Sequence, residues 1–311
     1  MKAEPILEVR EVTKTFGGII ALNRVSFDVG DGEILGIIGP NGSGKTTVVN
    51  CITGFVKASS GRILFRGRDI TGMRPHRIAD MGVTRTFQIM RPYYSLPAYK
   101  NLVIPLFSPR ARRTGGWRGG GRLGDRNTVG IDILEEIGFE RDSYVPYKLT
   151  ATLPTGYLKR LELARCLALK PEVIICDEPV SALDVSVQAA VINLLLEIQH
   201  TFGTSMIFIA HDLAVVRHIS HEVAVMYLGK IAELADKQVI FSRPSHPYTH
   251  ALLSAIPIPD VAHKQQRIVL SGDVPDPANP PTGCRFHTRC PFAVDRCRTE
   301  EPLLDAVQSG H

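Results

Sequence analysis

The sequence predicts an α/β fold, a mostly parallel sheet with helices on its faces. Three observations lead there. Apolar runs at 34–38 (ILGII), 173–176 (VIIC) and 206–210 (MIFIA) have the length and composition of buried strands. Helical stretches at 45–53, about 154–169 and about 186–200 alternate with them. A glycine-rich loop joins the first of these strands to the first helix.

The remaining elements follow in order. Residues 6–38 alternate short apolar runs with turns, a pattern of antiparallel strands leading into a buried one. Residues 61–70 predict a strand pair. Residues 109–130 are rich in Arg and Gly with little apolar content and predict a flexible loop, with an insertion that touches a partner or lipid headgroups as the alternative. In the 186–200 helix, Leu194, Leu195 and Ile198 fall at core spacing. Proline becomes frequent after 243, so a boundary is expected near 240, separating a domain over 1–240 from an extension over 241–311.

The chain has 311 residues, room for about two domains. Its 44% apolar and 22% charged content is that of a globular protein. The net charge of +5 suits a polyphosphate ligand or an anionic surface and is too small to argue for nucleic acid. No run approaches the roughly 18 apolar residues of a membrane span. The start, MKAEPILEVR, lacks the pattern of a secretory leader, so a cytosolic chain with reduced thiols is expected.

Gly39-Pro40-Asn41-Gly42-Ser43-Gly44-Lys45-Thr46 fits G-x-x-x-x-G-K-[ST] between strand and helix. Its glycines let backbone N–H groups converge on phosphate oxygens, and the helix N-terminus adds a positive dipole end. Lys45 is then expected to reach the β- and γ-phosphates and Thr46 to hold Mg²⁺. The VIIC run ends in Asp177 and Glu178. A strand ending in Asp brings a carboxylate beside such a metal, and the neighbouring Glu can polarise an attacking water.

Between these motifs lies LPTGYLKRLELAR (153–165), which resembles the signature helix of ATP-binding cassette (ABC) ATPases. Gln88 in RTFQ resembles the Q-loop glutamine, Ser181-Ala182-Leu183-Asp184 the D-loop, and His211 the switch histidine. Phe16 takes the place of the aromatic that stacks on adenine. The subfamily resemblance is divided. Residues 7–170 are similar to ATPases of branched-chain amino-acid importers, through GPNGSGKTTVVNCITGF, GVTRTFQIMRPY and LPTGYLKRLELARCLA. From 178 onward, EPVSALDVSVQAAVINLLLEIQ, SHPYTHALLSAIP and GCRFHTRCPFAVDRC resemble oligopeptide/dipeptide importer ATPases.

The resemblance implies a RecA-like core with an antiparallel β subdomain and a helical subdomain over about 89–167. It implies an ATP-hydrolysing importer subunit, for peptides first and for branched-chain or other amino acids as the alternative. A soluble cassette ATPase of translation or DNA repair is the reading from another class; such chains carry a second cassette or a coiled-coil insertion. The implied nucleotide set is Phe16, Gly39, Asn41, Gly42, Ser43, Gly44, Lys45, Thr46, Thr47, Asp177 and Asp184, with Pro154, Thr155 and Gly156 from the signature of a second ATPase, in a homo- or heterodimer. Glu178 is the implied general base, with His211 and Gln88 as catalytic partners and Thr46, Gln88 and Asp177 around Mg²⁺. Pro154 stands where the commonest signature has serine and offers no donor.

The implied partners are transmembrane permease subunits and, indirectly, an extracytoplasmic substrate-binding protein, with the ATPase peripheral on the cytoplasmic face of the membrane. The permease would contact about 85–107, with Arg91, Tyr93 and Tyr94 exposed. Cys284, Cys290 and Cys297 are spaced too widely for a zinc ribbon. Peptide-importer ATPases can carry a [4Fe–4S] cluster on such a tail; a structural tail with free thiols and a zinc site are the other readings. The family's fourth cysteine would follow a Gly-His, and this sequence ends at Gly310-His311, with His287 and His311 as weak stand-ins.

Overall fold

A computed structural model describes residues 4–87, 90–114, 125–181, 183–255 and 268–305. Gln88, Ala182 and His311 lie outside the described residues. The chain divides into two compact units.

The first unit takes residues up to Ile52, then Val56–Gly72, then everything from Phe208 onward. β1 (Pro5–Phe16) and β2 (Ile19–Gly30) form a long antiparallel hairpin, and β4 (Ser60–Phe65) and β5 (Arg68–Asp69) extend it in the order β2-β1-β4-β5. β3 (Ile34–Ile38) is buried along its whole length and pairs in parallel with the equally buried β9 (Glu222–Tyr227). Burial on both faces explains why β3 reads as a continuous apolar run. β10 (Lys230–Asp236) closes that side antiparallel to β9.

Among the described residues, this unit holds the helices α1 (Lys45–Ile52), α8 (Leu213–Ile219), α9 (Lys237–Ser242) and α10 (Pro247–Leu253). A short turn, α11 (Arg296–Thr299), follows in the tail. The residues after 240 thus share a compact unit with the glycine-rich loop.

The second unit takes Thr53–Phe55 and Met73–Ile207. Its strands are β6 (Val83–Arg85) and β7 (Val173–Asp177), parallel to each other, with the start of β8 (Ser205–Ile209) beside β7. Its helices are α2 (Pro75–Met81), α3 (Ala98–Leu106), α4 (Pro109–Arg113), α5 (Arg126–Glu136), α6 (Thr155–Leu167) and α7 (Val185–Phe202).

The flexible loop expected over 109–130 is corrected at both ends. Ser108 caps α4 by accepting from Ala111 N–H, with Pro109 in the first turn, and Asp125 caps α5 by accepting from Asn127 N–H. Arg110 is buried. Its guanidinium donates to the carbonyls of Met81, Leu169 and Lys170 and pairs with Glu172, so the charge is satisfied inside the fold. Residues 115–124 of that stretch lie outside the described residues.

Candidate nucleotide site

The first unit presents the phosphate loop. β3 ends at Ile38, and α1 starts at Lys45. Gly39, Gly42 and Gly44 have φ of 151°, 78° and 101°, conformations that side chains disfavour. Space is also closed at two of them. A Cβ on Gly39 would sit 2.2 Å from the Met226 carbonyl oxygen, and one on Gly44 would sit 2.8 Å from that of Ala21.

Lys45 is buried, and its Nζ donates to the carbonyls of Gly39 (2.8 Å) and Pro40 (2.9 Å). Ser43 is buried too, and its Oγ has no hydrogen-bond partner among the described residues. An orphaned buried hydroxyl in a cradle of converging backbone fits a phosphate. Asn41 and Thr46 are exposed and Thr47 is half-buried. Phe16 is 46% exposed, and Lys14 Nζ lies 4.7 Å from its ring centroid. His211 is exposed between β8 and the N-cap of α8, Asp212.

The second unit presents the acidic strand end. Asp177 is the last residue of β7 and is buried. Arg85 Nη2 donates to Asp177 Oδ2 at 2.6 Å, and the Asp177 N–H donates to Thr86 Oγ1. Glu178 is half-buried and holds a left-handed backbone, φ 50°, costly for a side chain with a Cβ. Its carbonyl accepts from Ser181 N–H and Oγ, which keeps the turn.

Pro154 is the N-cap of α6 without a side-chain cap bond, and Pro154 and Thr155 are exposed. The first-turn N–H groups are therefore open to an anion. A Cβ on Gly156 would come within 3.0 Å of Val187. Asp184 caps α7, accepting from Val187 N–H and Ser186 Oγ, and these bonds hold its carboxyl below the ordinary range. Two residues of this unit escape motif reading, Arg85 and Glu162. Glu162 Oε1 accepts from Phe87 N–H at 2.6 Å, and burial pushes its carboxyl up. Arg85 stands in RTFQ, yet only its contact with Asp177 gives it a role.

The cysteine segment is a closed loop. Cys284 N–H donates to the Cys297 carbonyl, and His287 Nδ1 lies 2.9 Å from that of Cys284. The Cys284 thiol is pushed up by burial first and by Cys297 and Cys290 after it. Among the described residues, no group of three or more His, Cys, Asp or Glu side chains is placed to hold a metal ion. The described residues therefore do not fit an iron–sulfur cluster, and no chemistry is assigned to one.

A buried strand, a left-handed glycine loop and a helix N-terminus define a P-loop phosphate-binding protein. An ABC transporter family model matches residues 22–181, and the C-terminal region of oligopeptide/dipeptide transporters matches 232–297. The chain is 42% identical to a probable peptide ABC transporter ATP-binding protein of Sinorhizobium fredii, over 93% of this chain and 80% of that one. It is 39% identical to the oligopeptide transport ATP-binding protein AppF of Bacillus subtilis, over 99% and 96%. A solved ATP-binding cassette of an ABC transporter, in its ADP conformation, is 29% identical with a TM-score of 0.68, over 80% of this chain and 99% of that one. The chain belongs to the ATP-binding proteins of ABC transporters and is an ATPase coupled to transport.

Proposed function

We propose that this chain hydrolyses ATP to drive import of peptides, as one motor subunit of a membrane complex. The carrying observation is that a cassette and an oligopeptide-transporter C-terminal region occur in one chain. Relatives with peptide-transport names match over nearly its whole length, the half resembling branched-chain importers included. That favours peptides over amino acids.

In this reading Lys45 and the loop N–H groups hold the β- and γ-phosphates, and Phe16 stacks on the base. Thr46, Gln88 and Asp177 would hold Mg²⁺, which would supply neutralisation of the phosphate charge. Glu178 takes the proton of the attacking water, and His211 keeps that water and the γ-phosphate in line. The α6 N-terminus, with Pro154, Thr155 and Gly156, meets the phosphate of a second ATPase through backbone donors.

No described helix is long and apolar enough to cross a membrane. The permease docks in a cleft of about 330 Å³ in the second unit, lined by Phe55, His76, Phe87, Ile104, Pro105 and Arg165 among others. Tyr93 and Tyr94, 44% and 46% exposed, and exposed Arg91 stand nearby in the chain, and Asn101 pins Tyr93 by accepting its N–H. In this reading the ATPase works on the cytoplasmic face of the membrane, where ATP is supplied.

Glu178→Gln tests the assignment. The variant binds ATP and turns it over at about 1% of the parent rate or less. Near-parent turnover removes Glu178 from the base role. In reconstituted vesicles with the permease and binding protein, peptides rather than leucine stimulate hydrolysis. Stimulation by leucine alone reverses the substrate reading.

A further inference from the structure

We infer that the C-terminal extension holds the phosphate loop in its working shape, with Arg285 as the positioning residue. The connection is short and lies within one unit. β9 and β10 are joined by Leu228-Gly229, both left-handed at φ 45° and 78°. Gly229 suits that conformation, whereas a branched side chain such as Leu228 resists it.

Gly229 N–H donates to the carbonyl of Ser43 in the phosphate loop at 2.8 Å, and Gly229 accepts from Asn23 N–H at 2.8 Å. The strained Leu228 carbonyl accepts from Arg285 Nη1. A Cβ on Gly229 would lie 3.4 Å from the same Nη1, so the guanidinium sits directly against the turn. Arg285 thus grips the turn whose next residue carries the loop.

The extension is built to deliver that guanidinium. Phe286 is 2% exposed, with its ring 5.3 Å from Tyr227, 5.5 Å from Tyr248 and 5.6 Å from His246. This cage fixes the residue beside Arg285, and burial lowers the affinity of the Arg285 guanidinium for its proton while Glu301 opposes the shift. Lys230, the first residue of β10, pairs with Glu301 from further along the extension. Pro277 reaches the loop from outside: a Cβ on Gly42 would meet its ring at 3.4 Å. The extension therefore reaches the loop through the turn and also lies close beside it at Gly42. A loop of left-handed glycines has little stiffness of its own, so such bracing sets how well its N–H groups stay aimed at phosphate.

The inference rests on the reading that residues 39–46 hold the phosphates. The test uses the full chain, mant-ATP binding and amide hydrogen exchange. Arg285→Ala weakens mant-ATP binding about tenfold, the equivalent of one charge-assisted hydrogen bond. It also speeds exchange in peptides covering 39–46 and 227–230, while α6 and β7 exchange as in the parent. Parent-like binding and exchange overturn the inference. Exchange accelerated throughout the chain also overturns it, because Arg285 is then a residue of general stability.

If Arg285→Ala does not fold, Arg285→Lys serves. It keeps the charge without the planar fork and weakens binding about threefold, with the same local exchange signature; parent values in both readouts count against it. Lys45→Ala separates the two levels. Parent-like mant-ATP binding by Lys45→Ala sinks the phosphate-loop reading itself. Lost binding there, with parent-like behaviour in Arg285→Ala, sinks only the role of the extension.

Discussion

Arg85 and Asp177 form a buried ion pair, 2.6 Å from Nη2 to Oδ2, with side chains 8% and 2% exposed. The Arg85 guanidinium also lies 5.1 Å from the ring of Phe87 and 5.9 Å from that of Phe55. Phe87 N–H goes on to Glu162 of the signature helix. A single connected set of side chains thus joins the acidic strand end, the segment before Gln88 and α6. Its members Phe55, Arg85, Phe87 and Glu162 line the cleft assigned to the permease.

Arg85→Met leaves Asp177 as an uncompensated buried carboxylate, and stability falls by about 3 kcal/mol. Arg85→Met with Asp177→Asn recovers part of that loss, because the remaining partner is then neutral. Chemical denaturation of the two single variants and the double variant measures the coupling. Additive losses show that the pair is energetically inert.

Arg110→Ala is expected to cost about 2–4 kcal/mol, since it strands the carbonyls of Met81, Leu169 and Lys170. Gly82→Ala strains the same locus, because Gly82 has φ 122° and a Cβ there would lie 2.7 Å from the guanidinium. The two together are expected to lose less than the sum, the clash having lost its partner. Thermal unfolding of the three variants decides this.

Two histidines predict acid sensitivity. His221 Nδ1 accepts from Ile34 N–H at 3.0 Å, and His246 Nδ1 accepts from Tyr248 N–H at 3.1 Å. Both bonds need a neutral imidazole. Burial depresses both pKa values below the ordinary 6.5, with Lys237 adding to the depression of His221 and Glu233 opposing that of His246. The unfolded chain then binds more protons than the folded one just below pH 6.5. Their contribution to stability is complete above about pH 6.5, falls as pH drops towards the depressed folded values, and levels off below them. Urea unfolding between pH 7.5 and 5 measures the slope. His221→Gln is expected to flatten it, and an unchanged slope removes His221 as a source.

The docking cleft predicts a binding phenotype. Ile104 is 44% exposed on its rim. Ile104→Asp places a charge where an apolar partner surface is to be buried, and co-purification with the permease is lost while the unfolding temperature of the isolated subunit is kept. Retained co-purification moves the docking surface elsewhere.

Much of this molecule is legible residue by residue. The glycine loop is written locally, since left-handed φ and close approach demand glycine at fixed spacing and the lysine follows at once. The buried strands β3, β7 and β8 appear as apolar runs because neither face meets water. The Arg/Gly-rich stretch misleads for the converse reason. Composition marks Arg110 as a solvent-exposed charge, while backbone carbonyls from two distant segments give it a buried home.

The sequence by itself determined the phosphate loop, the acidic strand end, the order of the cassette motifs and the join to a peptide-transporter tail. Each is a short-range pattern whose chemistry depends on neighbours along the chain. The tertiary structure alone decided that Asp177 is held by Arg85, that Glu178 sits in a left-handed turn, and that Arg285 grips the turn behind Ser43. These partners lie 92 and 57 residues apart in the first and last cases. Their meeting depends on which strands lie side by side and which segments pack on them, and no local pattern of residues encodes that.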